Sequence, residues 1–280
     1  MIIRISVIFV FLSQVYLSFG QEEYLKTYYE NSGYKETPRY DETVSYCKEL
    51  AKASSIIRFT NFGTSPQGRE LPLLIVDKNR NFEPEKVRNS GNAVLMIQAC
   101  IHAGECEGKD AGLMLVIDLV TNNISAALLD HVTLLFIPIF NADGHERFGP
   151  YNRINQNGPV EMGWRVTAQN LNLNRDFLKA DAPEMQCWLK LFNRWLPEFF
   201  IDCHTTDGAD YQYSITYGME IFGNMDSELT AWQKDVFLKN LSSEMKDAGY
   251  PIIQYVYFRN WHDPRSGLVA GVSPPILSTG

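Results

Sequence analysis

Residues 92–110 read NAVLMIQACIHAGECEGKD. An apolar run in this stretch is followed at once by His102 and Glu105, two metal-binding side chains three positions apart. His204 lies in a similar setting, just past the apolar run of PEFFIDCHTTDG at 197–208. A hydrolytic zinc ion takes three protein ligands of the His and carboxylate type and leaves its fourth position to water. The sequence therefore predicts one Zn²⁺ per chain, bound by His102, Glu105 and His204; the alternative is that these residues are unrelated polar ends of strands.

The stretch also belongs to an alternation of strands and helices. Apolar runs with strand character lie at 71–77, 93–99, 132–139 and 198–201, with a further pair expected at 252–258 and near Ile276. Helical patterns lie at 41–53, with Asp41 as the N-cap, and at 107–122, 181–195 and 227–247. This order predicts an α/β fold with a mixed, mostly parallel central sheet and helices on both faces.

Three of the apolar runs end in polar residues. The second is followed by His102 and Glu105, the third by the segment 140–144 (FNADG) and the fourth by Asp202 and His204. Ligands of open α/β sheets bind beyond the carboxyl ends of the strands. If the strands are neighbours, these polar ends converge on one site.

Composition excludes some classes of partner. The chain has 33 acidic and 25 basic residues, a net charge of −8, and its Lys and Arg residues are not clustered. A nucleic-acid-binding surface requires such clusters, so no nucleic-acid partner is expected. With 45% hydrophobic residues and no low-complexity tract, the chain is globular.

The first residues, MIIRISVIFVFLSQVYLSFG, place one Arg before an apolar run that ends in a small-x-small pattern. This is typical of a signal peptide over residues 1–20 and predicts a secreted or periplasmic protein with no membrane attachment after cleavage. The alternative is a membrane anchor, for which the run is short and interrupted by Ser13 and Gln14. Residues 21–40 are expected to be an extended lead-in.

The cysteines allow two interpretations. The five cysteines are expected to be small buried residues rather than a disulfide framework. Zinc ligation by Cys100, Cys106 and Cys203 is the alternative, although no C-x-x-C spacing is present. His145 follows a turn and is expected not to bind zinc.

Two arginines are candidates for contacts with a substrate. Arg165, in MGWRVTAQN, is a candidate for stabilising an oxyanion. The segment 172–176 (NLNRD) places Arg175 beside the amide of Asn174, a pairing suited to bidentate capture of a carboxylate. The alternative for each arginine is a surface ion pair.

The order of these elements resembles the zinc carboxypeptidase family, the carboxypeptidase A-like metallocarboxypeptidases. The elements are H-x-x-E, a strand ending in N-x-D-G, W-R, N-R-[ND]-[FW] and a strand ending in His, within about Leu71 to Gly218. The resemblance implies zinc binding by His102, Glu105 and His204. It also implies an oxyanion role for Arg165 and a grip of Asn174 and Arg175 on the free C-terminal carboxylate of a peptide substrate.

The chain departs from the family pattern at two places. The family has a carboxylate two residues before the N-R pair, which orients the first His ligand; here that residue is Asn172, and Asp202 is a candidate substitute. The family's general base is a late Glu, whereas after His204 this chain has only Glu220, Glu228 and Glu244, none of them at the end of an apolar run. We therefore expect residues 41–280 to form a zinc carboxypeptidase-like catalytic domain that is incomplete at its C-terminus.

The resemblance implies a metallocarboxypeptidase that hydrolyses a C-terminal peptide bond by zinc-activated water, acting on ordinary or cell-wall peptides. Two alternatives remain. A related amide hydrolase acting on N-acyl amino acids would use the same zinc ligands. A non-catalytic zinc-binding protein on the same fold would keep the ligands and lack the general base.

Overall fold

The computed structural model describes residues 26–205, 211–220, 225–260 and 262–270. The predicted signal peptide and the strand expected near Ile276 lie outside these residues. The chain forms two compact units, 1–207 and 208–280, which are described separately. The catalytic domain predicted over 41–280 spans both units and stays a prediction.

The first unit contains the helices and strands that carry the candidate site. Its helices are α1 (Tyr28–Asn31), α2 (Tyr40–Ala53), α3 (Pro84–Ser90), α4 (Glu107–Thr121), α5 (Asn123–Ala126), α6 (Ala142–Glu146) and α7 (Pro183–Trp195). Its strands are β1 (Ile57–Thr64), β2 (Glu70–Val76), β3 (Ala93–Gln98), β4 (Val132–Ile137) and β5 (Phe199–Asp202). Short 3₁₀ turns cover Ala127–Asp130 and Leu173–Arg175.

The start of the first unit differs from the sequence expectation in two details. Residues 26–40 contain the helical turn α1, so this segment is not extended throughout. Helix α2 has Arg39 rather than Asp41 at its N-cap, and the Glu42 side chain accepts a hydrogen bond from the Arg39 N–H. Asp41 lies in the first turn, where its charge interacts favourably with the helix dipole.

The central sheet has the order β1-β2-β4-β3-β5. The pairs β3–β4 and β3–β5 are parallel, whereas β1–β2 and β2–β4 are antiparallel. The predicted mixed α/β fold is confirmed, but the sheet is not mostly parallel. Sequence reasoning missed β1, an edge strand with only one buried residue, Ile57, and therefore no continuous apolar pattern.

Helices cover both faces of this sheet because alternate strand residues point to opposite sides. On one face, Leu74 of β2 and Phe136 of β4 pack with residues of α2 and α4. On the other face, Ile75 and Leu135 pack with residues of α3 and α7, including Trp188. A separate hydrophobic core lies on each face of the sheet, and strand β3 contributes residues to both cores.

The second unit contains smaller elements. Strand β6 (Ile215–Tyr217) pairs in parallel with β7 (Ile252–Gln254), and β8 (Val256–Phe258) pairs antiparallel with β9 (Leu268–Ala270). The predicted helix at 227–247 is confirmed as α8 (Ser227–Trp232), a π turn (Gln233–Phe237) and α9 (Leu238–Asp247). Among the residues in the ranges above, no helix is both long and apolar enough to cross a membrane.

Gly112 provides a test of how α4 packs on the sheet. A Cβ at Gly112 would overlap ring atoms of Phe136, so the helix can approach β4 only with glycine at this position. We expect Gly112→Ala to lower the free energy of unfolding by about 1–2 kcal/mol, because overpacking outweighs the gain of about 1 kcal/mol in helix propensity. Denaturant unfolding monitored by circular dichroism measures this change.

The double substitution serves as the control. Phe136→Leu removes the ring atoms that the new Cβ would meet, so in that background Gly112→Ala should be neutral or stabilising. An equal loss of stability in both backgrounds would contradict this packing.

Candidate metal centre

The two ligand-bearing segments lie side by side because of the sheet register. His102 and Glu105 lie in the loop between β3 and α4, and His204 follows β5. Strands β3 and β5 are parallel neighbours in which Gln98 is paired with Asp202. Their carboxyl ends therefore meet at one edge, and the predicted convergence of polar strand ends is confirmed for these two strands.

The three predicted ligands form a tight cluster. The Glu105 Oε1 atom lies 3.0 Å from His102 Nδ1, and its Oε2 atom lies 3.0 Å from His204 Nδ1. The two imidazole rings have centroids 4.9 Å apart. One potential ligand atom from each of the three residues lies within 4.8 Å of the others, which is close enough for all three to bind one ion.

Charge is concentrated at this cluster. Burial disfavours the His204 imidazolium, but the Asp202 and Glu105 carboxylates outweigh burial and raise the pKa of His204 to about 10. Burial lowers the pKa of His102. Burial would also raise the pKa of Glu105, but hydrogen bonds with the two histidines hold that pKa well below its usual range. Glu105 is therefore a carboxylate at neutral pH and can act as a ligand without losing a proton.

Asp202 orients His204. Its Oδ2 atom lies 2.9 Å from His204 Nε2, and its Oδ1 atom accepts a hydrogen bond of 2.9 Å from the Gln98 amide. A carboxylate on the far nitrogen of an imidazole fixes the ring and its tautomer and increases its basicity as a ligand. Because Asp202 contacts the Nε2 atom, the Nδ1 atom of His204 stays directed towards Glu105, where it could bind a metal ion. The sequence pattern D-x-H at the end of a strand already placed both side chains on the same side.

The orientation of His102 corrects an expectation. Asn172 stands where the family pattern has the carboxylate that orients the first His ligand, but its Oδ1 atom accepts a hydrogen bond of 3.1 Å from the Asn174 N–H. Asp202, the candidate substitute, contacts His204. Among the described residues, the buried Nε2 atom of His102 has no hydrogen-bond partner. The ring is therefore held by Glu105 and by packing.

The geometry fits a zinc ion of the hydrolytic type. Two imidazole Nδ1 atoms and one carboxylate face one another, and this set leaves one position of a tetrahedral zinc ion for water. His204 keeps about one third of its side-chain surface exposed, whereas His102 and Glu105 are buried. The cluster is thus accessible from the His204 side.

The segment 151–158, which sequence reasoning missed, contacts the loop between β3 and α4. We call that loop, which carries His102 and Glu105, the ligand loop. Arg153 forms an ion pair with Glu105, with 2.8 Å between Nη2 and Oε1, and Gln156 donates a hydrogen bond of 2.8 Å to the Thr205 hydroxyl. The Thr205 N–H in turn donates to Glu105 Oε2 at 3.1 Å. The segment lies in a long irregular loop, YNRINQNG, with no periodicity or motif that indicates a role for Arg153.

Glycines allow this close packing. A Cβ at Gly104 would lie 2.5 Å from the Gly163 carbonyl oxygen and 2.9 Å from Arg153 Cγ. A Cβ at Gly163 would lie 2.8 Å from the Ala103 carbonyl oxygen. Both separations are too short for real side chains, so the loop before Arg165 contacts the ligand loop only because both residues are glycine.

Arg165 lies beside the cluster. Its Nη1 atom is 3.6 Å from Glu105 Oε1, and about one third of its side chain is exposed. The Arg165 carbonyl accepts a hydrogen bond from the Asn141 side chain, which ties this residue to the N-x-D-G segment after β4. A cation that is one-third exposed beside the cluster is accessible from solvent, and its role towards a substrate stays a prediction.

Asn174 and Arg175 lie in the 3₁₀ turn after Asn172. Arg175 is exposed and donates from Nη1 to the Asn174 carbonyl at 2.6 Å, whereas Asn174 is half-buried. Leu173 anchors the turn in the core, and Asp176 accepts two backbone hydrogen bonds at the start of α7. No hydrogen bond or ion pair within the described part of the chain joins Asn174 or Arg175 to the three ligands.

A second cluster lies behind the ligand loop. Cys100, Cys106 and His145 are buried and bring potential ligand atoms within 4.8 Å of one another. However, the Lys109 ammonium lies 3.1 Å from His145 Nε2, and His145 Nδ1 lies 3.4 Å from Glu146 Oε1. Both ring nitrogens are engaged, so a metal ion would have to displace Lys109.

The thiols of this second cluster serve the ligand loop instead. Cys100 donates to the Glu105 carbonyl and Cys106 to the Ala103 carbonyl. Cys100 also has φ of 58°, in the left-handed region that a residue with a side chain rarely adopts. The cysteines thus support the ligand loop as buried residues, and Cys203 is half-buried outside both clusters. The alternative of zinc ligation by Cys100, Cys106 and Cys203 together has no support in this arrangement.

Comparisons with known proteins agree with this fold. The family profile described as zinc carboxypeptidase matches residues 43–248, which is more than half of the chain. The chain therefore belongs to the zinc carboxypeptidase family. A search among curated proteins found no match.

Solved structures of metallocarboxypeptidases have a similar fold. A metallo-carboxypeptidase from Burkholderia cenocepacia matches with a TM-score of 0.59 and 18% identity, over 79% of this chain and 53% of that chain. Carboxypeptidase A from Helicoverpa armigera matches with a TM-score of 0.57 and 19% identity, over 78% and 57%. A Pseudomonas aeruginosa metallo-carboxypeptidase in complex with (2-guanidinoethylmercapto)succinic acid matches with a TM-score of 0.59 and 20% identity, over 84% and 54%. The chain spans about half the length of these proteins.

The role of Asp202 can be tested through metal affinity. We expect Asp202→Asn to weaken Zn²⁺ binding by about 10–100-fold, because the neutral amide no longer holds the His204 ring as a charged acceptor. Competition with a chromophoric chelator measures the affinity. Asp118→Asn, at an exposed position of α4, is the matched control and should leave the affinity unchanged. Equal effects of the two substitutions would argue against the role of Asp202.

Proposed function

We propose that this protein is a zinc-dependent metallocarboxypeptidase that hydrolyses the C-terminal peptide bond of a peptide with a free carboxylate. The convergence of His102, Glu105 and His204 is the observation that supports this most strongly. When bound, zinc would polarise the carbonyl of the substrate and lower the pKa of its bound water to about 7. Family membership supports the same ion, and the cluster of three residues accommodates one ion per chain.

The protein side chains have distinct parts in this reaction. His102, Glu105 and His204 hold the ion, and Asp202 keeps the His204 ring oriented. Arg165, one-third exposed beside Glu105, donates to the oxyanion that develops on the scissile carbonyl, where a fixed cation stabilises the transition state more than the substrate. These residues all belong to the first unit of the chain.

Recognition of the substrate carboxylate is assigned to Asn174 and Arg175. A guanidinium beside an amide offers several N–H donors in a geometry that matches a carboxylate. Arg175 is exposed and therefore available to a ligand. The Pseudomonas aeruginosa relative was solved with a succinic acid derivative, which supports a carboxylate-bearing ligand for this fold.

The N-terminal pattern over residues 1–20 supports export, so we place the activity outside the cytoplasm, in the periplasm or the secreted fraction. The substrate within the peptide class, ordinary or cell-wall derived, is part of the proposal. An amide hydrolase acting on N-acyl amino acids would use the same carboxylate contact. A chain that binds zinc and carboxylates but releases no C-terminal residue would match the non-catalytic alternative.

The ligand assignment predicts loss of zinc on substitution. His102→Ala and His204→Ala should each abolish zinc retention, since two protein ligands hold the ion too weakly to survive dialysis. Elemental analysis of the dialysed protein measures zinc per chain. His131→Ala, at an exposed histidine remote in sequence from the ligands, should retain one Zn²⁺. Unchanged zinc in His204→Ala would contradict the proposed site.

The carboxylate contact predicts a change in ligand binding without loss of zinc. Arg175→Ala should weaken binding of (2-guanidinoethylmercapto)succinic acid by about 10–100-fold, because a charge-assisted hydrogen bond contributes about 1.5–3 kcal/mol. Isothermal titration calorimetry on the zinc-loaded protein measures this affinity. Arg194→Ala, at an exposed arginine paired with Glu83, is the control and should bind as the unsubstituted protein does.

The assigned role of Arg175 also predicts a preference among peptides. The unsubstituted protein should bind peptides with a free C-terminus more tightly than the same peptides with an amidated C-terminus. Equal affinity for the two forms would rule out Arg175 as a carboxylate-binding residue.

A further inference from the structure

Arg153 is a buried cation that contacts a proposed zinc ligand directly. Its Nη2 atom lies 2.8 Å from Glu105 Oε1, and the side chains of Arg153 and Glu105 are only 6% and 2% exposed. A guanidinium as deeply buried as this one is out of reach of a substrate that arrives from solvent. Within the described residues, its guanidinium pairs with Glu105, a proposed ligand.

Each of the two Glu105 oxygens has its own contact beyond the histidines. Arg153 forms an ion pair with Oε1, and the Thr205 N–H donates a hydrogen bond of 3.1 Å to Oε2. A carboxylate held at both oxygens cannot rotate about its terminal bond, so its lone pairs keep one direction. Groups that orient a metal ligand in this way typically change metal affinity by about 10–100-fold when they are removed.

The backbone next to Arg153 leaves room for its side chain because residue 104 is glycine. Gly104 lies between the two ligands of the H-x-x-E segment, and a Cβ there would come within 2.9 Å of Arg153 Cγ. Three residues after Arg153, Gln156 donates to the Thr205 hydroxyl at 2.8 Å. The segment from Arg153 to Gln156 thus reaches both ligand loops, the one with Glu105 and the one that follows His204.

We infer that Arg153 is a positioning residue that fixes the Glu105 carboxylate for metal binding and takes no part in contacting the substrate. This inference rests on the proposed zinc site. It adds to that site a residue whose function is to hold the ligand in place before the ion binds, so that little rearrangement accompanies binding.

Zinc affinity in a double-mutant cycle tests this role. Arg153→Met keeps much of the aliphatic stem but removes the donors, and we expect it to weaken Zn²⁺ binding by about 10–100-fold. In a Glu105→Gln background, the same substitution should cause little further loss, because Arg153 acts through the Glu105 carboxylate. A substitution that merely disturbed the fold would weaken binding equally in both backgrounds, and that result would overturn the inference.

Arg147→Met is the matched control. Arg147 precedes Arg153 in the same loop, is exposed, and donates to the Thr167 carbonyl and the Asn170 side chain rather than to Glu105. It should bind zinc as the unsubstituted chain does. Zinc binding is measured by chelator competition, and thermal unfolding of each metal-free variant verifies that it is folded.

Arg153→Met leaves the Glu105 charge buried without its cation, so a second variant accompanies it. Arg153→Lys keeps the charge but loses the planar arrangement of donors, and we expect an intermediate loss of zinc affinity. If Arg153→Met fails to fold, unchanged affinity in Arg153→Lys overturns the inference. If the unsubstituted chain itself retains no zinc, the proposed zinc site fails; if it retains zinc and Arg153→Met binds equally well, only the role of Arg153 fails.

Discussion

The candidate metal centre depends on the contacts that the buried carboxylate of Glu105 makes with its neighbours. It lies within hydrogen-bond distance of His102, His204, the Thr205 N–H and Arg153, which belong to three separate segments of the first unit. A carboxylate that is 2% exposed requires such partners, because an unpaired buried charge costs several kcal/mol. The requirement to satisfy this charge therefore holds the three segments together even without a metal ion.

The sheet supplies the geometry that makes this possible. Only neighbouring parallel strands bring the ends of β3 and β5 to the same edge in register, and the Gln98–Asp202 hydrogen bond continues that register into the side chains. Two hydrophobic cores, one on each face, fix the strands in turn. The ligand positions thus follow from the order of the strands, whereas the ligand orientations follow from polar contacts between loops.

The loops approach one another unusually closely. Gly104 and Gly163 allow the segment before Arg165 to contact the ligand loop, and Cys100 adopts a left-handed backbone at the start of that loop. A non-glycine residue in this conformation costs about 1–3 kcal/mol and persists only when the surroundings impose it. The hydrogen bond of the Asn141 N–H to the Cys100 carbonyl is one contact that imposes it.

Much of the centre was determined by the sequence alone. An apolar run followed by H-x-x-E, and a second run ending in D-x-H, predict the ligands because strand ends and residue spacing are local properties. The α/β class and the main helices follow from periodicity for the same reason. Only the tertiary structure decided that half of the strand pairings are antiparallel, that Asp202 orients His204 while Asn172 does not reach His102, and that Lys109 occupies the second cluster. It alone also placed Arg153 on Glu105, since a contact between residues 48 positions apart leaves no periodic signal in an irregular loop.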